Sequence, residues 1–578
     1  MGYLKEKTMN LAIDAIKKHT FDAIVVGSGV SGGFAAKELT EKGMRTLVLD
    51  RGKQLDHITG YEPTYKDPWD FKYNGLLTQE QKTTHPKLAR DYPYNEKSQN
   101  YWFNDSDSMY KEEKRFDWFR PNIVGGKSIM WGRQSYRLSD IDFEANLKDG
   151  IAVDWPIRYK DIAPWYSYVE KHVGISGEAL GLPQLPDSDF LKPMDMYCVE
   201  KEARVRIEKA FPGRNLTIGR VANLSEAKKA QLDIGRSQCQ YRNKCNLGCP
   251  YGAYFSSQSC TLPPAAKTGL MTLLPNSLVS EIIFDNQKQK AKGVRVIDTV
   301  THEVREYYAK VIFICGSTVS TTALLLNSTS NRFQNGFGND SGELGHNLMD
   351  HHFRIGASGI WEGDEDKYYF GRRANGIYVP RYRNIGNDKR DYLRGFGYQG
   401  GGSRQSWNRG VNDLSFGADY KESMTKPGPW TMNLGGFGET LPYHENKMYL
   451  DKTAKDKWGL PIVVFDAEFK ENEKKMRVDM LNDAKEMLEA AGFKNIRAYD
   501  NGCYPGMAIH EMGTARMGRD PKTSVLNGNN QVHAAKNVFV TDGSSMVSTS
   551  CVNPSLTYMA LTARAASFAV GELKKHNL

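Results

Sequence analysis

FDAIVVGSGVSGGFAAKELTEKGMRTLVLDRG, residues 21 to 52, decides the fold of the first domain. Ala23 to Val26 form a short apolar run suited to a strand buried on both faces. Gly27, Gly29 and Gly32 follow in the spacing GxGxxG, and a helical stretch runs to about Lys42. A second apolar strand, Thr46 to Leu49, ends on Asp50, with Arg51 next. Strand, glycine turn, helix and acid-tipped strand make the start of a βαβ unit that cradles a dinucleotide. Gly27 permits the tight turn, Gly29 lets a pyrophosphate approach the backbone, and Gly32 lets helix and strand pack closely. The helix start offers free N–H groups to phosphate, and Asp50 can accept from a ribose hydroxyl. The motif serves FAD and NAD alike.

The bulk numbers set wide bounds. A chain of 578 residues has room for two or more domains with sizeable cores. Hydrophobic content of 40 % and charged content of 25 % are ordinary for a globular protein. The net charge is +9, but the charges are interspersed, without the long basic run that tracks nucleic acid. No apolar run is long enough to span a membrane. MGYLKEKTMNLAIDAIKKHT lacks a secretory apolar core and reads as a short amphipathic helix, so the expected compartment is the cytoplasm. Eight cysteines in this length are not a disulfide scaffold.

Near the C-terminus the chain reads HEMGTARMG (510–518), NVFVTDGSSM (537–546) and CVNPSLTYMALTARAA (551–566). Upstream are RPNIVGGKSIMWGRQSYR (120–137), VIFICGSTVSTTALLLNS (311–328), GELGHNLMDHH (342–352) and LDKTAKDKWGLP (450–461). With the dinucleotide cradle, and in this order, these segments resemble the glucose-methanol-choline (GMC) oxidoreductases. The resemblance implies FAD rather than NAD, and a Rossmann-like α/β flavin domain. It also implies an interleaved α+β substrate domain built on an antiparallel sheet, with 450–461 as one of its hairpins. The expected flavin domain takes residues 18–55, 115–140, 235–350 and 500–578. The substrate domain takes 141–234 and 351–499, and 56–114 forms a lid or interface insertion.

By this resemblance His510 is the active-site histidine and Asn553 its polar partner. The chemistry agrees. Oxidising an alcohol removes the hydroxyl proton while hydride leaves carbon for flavin N5, and a neutral imidazole titrates in the right range to take that proton. Asn553 can hydrogen-bond the same oxygen without changing charge. Asn553 before Pro554 also reads as a helix N-cap followed by a first helical residue, and such a helix would aim its positive end at the flavin. The resemblance adds Ser128, Trp131, Gly316, Asp542 and Gly543 to the cofactor contacts, with Gly125 and Gly126 walling the ring. Lys127, Ser128, Ile129 and Met130 occupy the segment where some relatives carry a flavin-linking histidine, so non-covalent FAD is expected.

CQYRNKCNLGCP, residues 239 to 250, gathers three of the eight cysteines. Its C-x3-C-P ending is similar to ferredoxin runs. The full spacing resembles the catalytic subunits of bacterial glucose, gluconate, sorbitol and fructose dehydrogenases and of glucoside 3-dehydrogenases. That likeness implies a 3Fe–4S cluster on Cys239, Cys245 and Cys249, or 4Fe–4S if Cys260 swings in. Zinc would want four ligands in paired units. A disulfide would leave an odd thiol, and empty thiols remain open. A cluster would pass flavin electrons singly to a partner, such as a small subunit or a cytochrome.

The implied activity is dehydrogenation of a sugar or glycoside, with C3 of a pyranoside the first position expected. A sugar oxidase using oxygen, a lyase with structural flavin and a flavin-holding assembly subunit are the rivals. Relatives of this kind work with a small subunit, often exported, so transport by a signal-bearing partner is the alternative to the cytoplasm. Substrate strands are expected at 353–361, 376–383, 392–401 and 430–439, and a helix over 471–491. The run 395–410 is glycine-rich like a loop. Gln399, Arg404 and Glu439 are candidate sugar-hydroxyl contacts. Tyr101, Trp102, Phe103, Trp118 and Phe119 either stack on sugar faces or pack a lid.

Overall fold

The computed structural model describes residues 19–369, 374, 376–405 and 416–578. The amphipathic N-terminal helix, up to residue 18, and residues 406–410 of the glycine-rich run lie outside the described residues. The first strand is Thr20–Val26, in which Ala23, Ile24 and Val25 are fully buried. It lies between two parallel neighbours, Thr46–Leu49 and Val304–Ile314. Met271–Leu274 and Ala535–Val540 extend the parallel array on either side. The hairpin Ser277–Asp285 and Lys290–Asp298 joins it antiparallel through Val304–Ile314. Strands covered on both faces carry no polar alternation, which is why VIFI at 311–314 is wholly buried.

The helix Val30–Glu41 packs against this sheet and against the C-terminal helix Ser555–Lys574. Two glycines of the cradle are required by close approach. A Cβ on Gly32 would sit 1.8 Å from the Gly27 carbonyl oxygen, and one on Gly27, whose φ is +94°, 2.5 Å from the Cys315 oxygen.

A second sheet is antiparallel. Its order is Lys494–Asp500, His352–Trp361, Trp430–Gly438, Phe396–Arg404, Ile377–Val379 and Thr217–Ile218. The helix Glu471–Ala491 has the expected ends. It turns Met476, Met480, Ala484, Met487, Leu488 and Ala491 into one core with Ile355, Leu434 and Tyr398. Those positions recur at the helical period, which made the helix readable. Strand lengths differ from expectation: the segment 376–383 supplies only three strand residues, and the glycine-rich run is a strand to Arg404 rather than a loop. Its glycines admit neighbouring backbone; a Cβ on Gly400 would meet the Asn433 oxygen at 1.8 Å.

The hairpin Lys447–Lys455 and Pro461–Asp466 departs from its expected place. It pairs with Tyr110–Glu112 in a separate three-stranded sheet. Its turn brings Trp458 onto Arg51, 4.6 Å from guanidinium to ring centre. The insertion 56–114 packs Tyr61, Leu88, Tyr94, Tyr101 and Trp102 into one cluster with Phe119, Ile129 and Met130. It therefore rests on the back of the VGGKSIMWG segment.

Gly32→Ala forces backbone against backbone, so it should lower the melting temperature and the flavin content of purified protein together. Overpacking of this kind costs about 1–3 kcal/mol or more. Differential scanning fluorimetry and the flavin absorbance band read both effects.

Candidate active site

One cleft runs from the first βα turn to His510. Its walls include Gly27, Gly29, Asp50, Arg51, Gly126 and Ser128, then Trp131, Gly316, Asp542 and Gly543. Gly32 and Gly125 lie behind the wall, packed against Gly27 and Gln258. A Cβ on Gly29 would meet nothing within 4 Å, and one on Gly126 only Gly29 Cα at 3.9 Å. These two glycines leave room in the cleft rather than room for the protein's own packing. The Asp50 carboxylate accepts from Ser28 N at 3.0 Å, Gly52 N at 2.7 Å and the Ser28 hydroxyl, while burial raises its pKa. Asp542 accepts from Ser544 N at 3.1 Å and the Thr321 hydroxyl at 2.5 Å.

Arg51 lies over Phe103 at 4.2 Å as well as over Trp458, gives one hydrogen bond to the Asp107 carbonyl, and leaves Nε without a partner. Arg120, on the same cleft, lies 3.9 Å over Trp118. Burial depresses both guanidiniums, Arg51 to about 10. Two desolvated cations, an orphaned N–H and a helix N-terminus suit a diphosphate-bearing ligand. The residues present thus fit FAD.

His510 is delivered by a strained turn. Ile509, a β-branched residue, sits at φ 60°, where a branched side chain is a genuine outlier. Asp350 holds the turn: its carboxylate accepts from Gly506 N at 2.8 Å, Ala508 N at 3.1 Å and His510 N at 3.0 Å. Burial, with the charge of Glu511 behind it, pushes Asp350 up to about 8. His510 Nδ1 lies 3.1 Å from His351 Nδ1, and His351 Nε2 lies 2.8 Å from the Ser550 carbonyl oxygen. Phe437 packs on both imidazoles, at 4.6 Å and 5.5 Å. Burial first, then His351 and Lys127, hold His510 well below the usual histidine range, so it is neutral near pH 7. Lys127 pairs with Glu511 at 3.0 Å.

Asn553 is partly exposed, and its Oδ1 accepts from Gln399 Nε2 at 2.6 Å. The amide NH2 is thereby left to donate elsewhere. The helix-cap expectation fails: Pro554 is the N-cap of Ser555–Lys574, and no side chain caps it. Asn553 and Pro554 are outside the cleft wall, which Ser555 and Tyr558 reach instead.

Of the sugar-contact candidates, Gln399 supports Asn553, and the other two are corrected. Arg404 is 6 % exposed and donates to the carbonyls of Gly428, Glu365 and Lys367. Glu439 is 1 % exposed, paired with Arg394 at 3.1 Å, and accepts from Ser550 N at 3.2 Å. Both bind protein: Arg404 at the end of its strand, and Glu439 just past the end of Trp430–Gly438, face inward. Tyr101, Trp102, Phe103, Trp118 and Phe119 are all buried and offer no free sugar-stacking face. The aromatic that the sequence reading missed is Tyr92, 61 % exposed and edge-on to Phe353 at 5.8 Å. Beside it the Asp91 carboxyl is buried with neither oxygen partnered, and burial raises its pKa well above the ordinary value. His351 was missed too, since only its contact with His510 marks it.

The cysteines do not form the expected cluster. Cys239, Cys245 and Cys249 form no disulfide and are partly buried. Cys239 and Cys249 pack on Leu191, Leu224 and Ala253, and Cys245 and Cys249 on Val221, Tyr254 and Ala374. Among the described residues no three His, Cys, Asp or Glu side chains converge to hold a metal. Cys260 is sealed in the helix Ser257–Cys260 against Arg236, 3.2 Å away, and cannot supply a fourth ligand. The donor set present does not fit an iron–sulfur cluster.

The description GMC oxidoreductase matches residues 21–353 and 442–562. The chain therefore belongs to the GMC oxidoreductases, FAD-dependent enzymes that oxidise CH–OH groups of alcohols and sugars. It is 27 % identical to the 2-methyl-1,2-propanediol dehydrogenase of Mycolicibacterium austroafricanum, covering 95 % of this chain and 94 % of that one. It is 25 % identical to the fructose dehydrogenase large subunit of Gluconobacter japonicus, covering 96 % and 98 %. The crystal structure of pyridoxine 4-oxidase from Mesorbium loti superposes with a TM-score of 0.60 at 17 % identity, over 95 % and 98 % of the two chains. Among the described residues no helix is long and apolar enough to cross a membrane.

Burial lowers His351 from 6.5 to about 4. Its neutral form contributes stability that is fully present above pH 6.5 and lost as pH falls through 4. A shift of this size is worth about 3 kcal/mol. The urea midpoint of wild type minus that of His351→Asn, which cannot titrate, should therefore fall steadily between pH 6.5 and 4.

Proposed function

We propose that this enzyme oxidises a ring hydroxyl of a sugar or glycoside, C3 of a pyranoside first, and delivers the electrons to a protein partner. One observation carries the chemistry: a neutral imidazole lines the dinucleotide cleft, and an amide with its NH2 left free stands outside that wall on a separate segment, two residues before Ser555, which reaches it. Gln399 holds Asn553 so that the amide donates. His510 accepts. A hydroxyl is both donor and acceptor, so it satisfies the pair at once. As the hydroxyl proton moves to His510, the oxygen keeps the Asn553 N–H and gains electron density against it.

FAD, when bound, supplies the acceptor for hydride from the carbinol carbon. Gly27, Gly29 and the start of Val30–Glu41 would hold its diphosphate. Asp50 would take a ribose hydroxyl, and Gly126, Ser128 and Gly543 would face the ring. The segment Lys127 to Met130 has no histidine to link it.

The sugar reading is supported by the fructose dehydrogenase relative, which spans nearly the whole chain, and the partner reading by that relative's being a large subunit. The C3 position rests on the cysteine spacing, which resembles that of glucoside 3-dehydrogenases. The cysteines of this structure do not gather as ligands, so no electron step is assigned to them.

Anaerobic addition of glycosides should bleach the flavin, and NMR of the product should show a keto group at C3. A fully loaded preparation that no sugar bleaches would overturn the reading, and rapid peroxide formation under air would replace the partner with oxygen. His510→Ala should slow bleaching by roughly 10²–10⁴-fold. Gln399→Ala should cost less than Asn553→Ala, because it releases the amide without removing it. Stopped-flow flavin reduction ranks all three.

A further inference from the structure

We propose that His351 is a positioning residue that fixes the tautomer of His510, leaving Nε2 as the atom that takes the substrate proton. The geometry admits one assignment. A backbone carbonyl only accepts, so the hydrogen bond from His351 Nε2 to the Ser550 oxygen, 2.8 Å long, places the His351 proton on Nε2. His351 is fully buried and makes no ion pair to hold a second proton, and burial depresses its pKa to about 4. Its Nδ1 is therefore a lone pair. The atom facing that lone pair, at 3.1 Å, is His510 Nδ1, which must carry the hydrogen. A neutral His510 then has its own lone pair at Nε2. The opposite tautomer would set two lone pairs against each other and leave no base.

The surroundings hold this arrangement. Ser550 is at φ 57°, and its N–H is held by Glu439, itself paired with Arg394. Glu439 thus aims the carbonyl that sets His351. Other charged groups near His510 are Lys127, its partner Glu511, and Asp350, which takes the His510 backbone N–H. None of them bonds to Nδ1. When the hydroxyl O–H breaks and its proton binds Nε2, His510 becomes an imidazolium. Its Nδ1–H bond to His351 is then charge-assisted and stronger. His351 orients the base and holds its Nδ1–H without touching substrate.

This deepens the alcohol-oxidation reading, and one arm of its test is independent of that reading. Histidine-selective ¹⁵N NMR of the holoenzyme reports each tautomer directly. Wild type should show His510 protonated at Nδ1. His351→Asn keeps an acceptor oxygen near the Nδ1 position and should preserve that state. His351→Phe keeps the ring shape without the acceptor and should lose it. In stopped-flow reduction the Phe variant should lose roughly tenfold or more in limiting rate, with the acid limb of the pH profile displaced and KM little changed. The Asn variant should recover most of the rate. A wild-type His510 protonated at Nε2, or a Phe variant with the wild-type pH profile, would overturn the proposal. If the Phe variant does not fold, the wild-type and Asn spectra decide it. If no sugar bleaches the flavin, the activity reading falls while the spectra still judge the tautomer.

Discussion

The site depends on the grip of one carboxylate. Asp350 takes the N–H groups of Gly506, Ala508 and His510, and so holds a turn that would otherwise relax. Ile509 in the left-handed region costs on the order of 1–3 kcal/mol, and such strain persists only where the surroundings over-determine it. Three backbone N–H groups bonded to one buried carboxyl do so. Asp350 stands just before His352–Trp361, the strand by which the chain enters the antiparallel sheet. Met349 next to it bridges Met512 beyond the histidine. The join between the two sheets and the aim of the His510 imidazole are therefore one structural feature.

From that join the polar groups fall into two layers. Inside, Arg394, Glu439, Ser550 and His351 form a buried chain of bonds that never reaches the cleft. Outside, His510 and Asn553 each keep one unused function. A buried polar network is costly when half satisfied and rigid when complete. Here the inner layer fixes the Ser550 carbonyl and, through it, the ring of His351 that faces His510. Gln399 does the same for the amide that His351 does for the imidazole.

Much of the fold was legible because its signals are local. The glycine spacing at 27, 29 and 32 and the apolar strands flanking it specify the cradle within about thirty residues. The period of Met476, Met480, Met487 and Ala491 gives the long helix. His510 and Asn553 came from family likeness; His510 lines the cleft, whereas Asn553 lies outside its wall, bonded to Gln399. His351 was illegible: residues 351, 510 and 550 are far apart in the chain, and its role exists only in their contact. Arg404 and Glu439 misled because alternation says which residues share a sheet face and not which face meets solvent. The cysteines misled differently. Their spacing is a sequence property, whereas ligation requires three sulfurs to point at one place.

The rings beside His510 come from other parts of the chain than the residues that hold its turn. Around His510 the rings run Phe437, Phe353, Tyr92 at 5.5, 6.2 and 5.8 Å between successive centres. Phe437 and Phe353 come from neighbouring strands of the antiparallel sheet, and Tyr92 from the insertion that rests on the flavin-contact segment. Apolar faces at this spacing suit the C–H face of a sugar ring or an alkyl chain alike, since neither needs a directed bond. Discrimination must then come from polar groups at the edges, where a buried, unpaired partner penalises the wrong ligand. Asp91 has that character: enclosed, its pKa raised by burial, and neither carboxyl oxygen hydrogen-bonded.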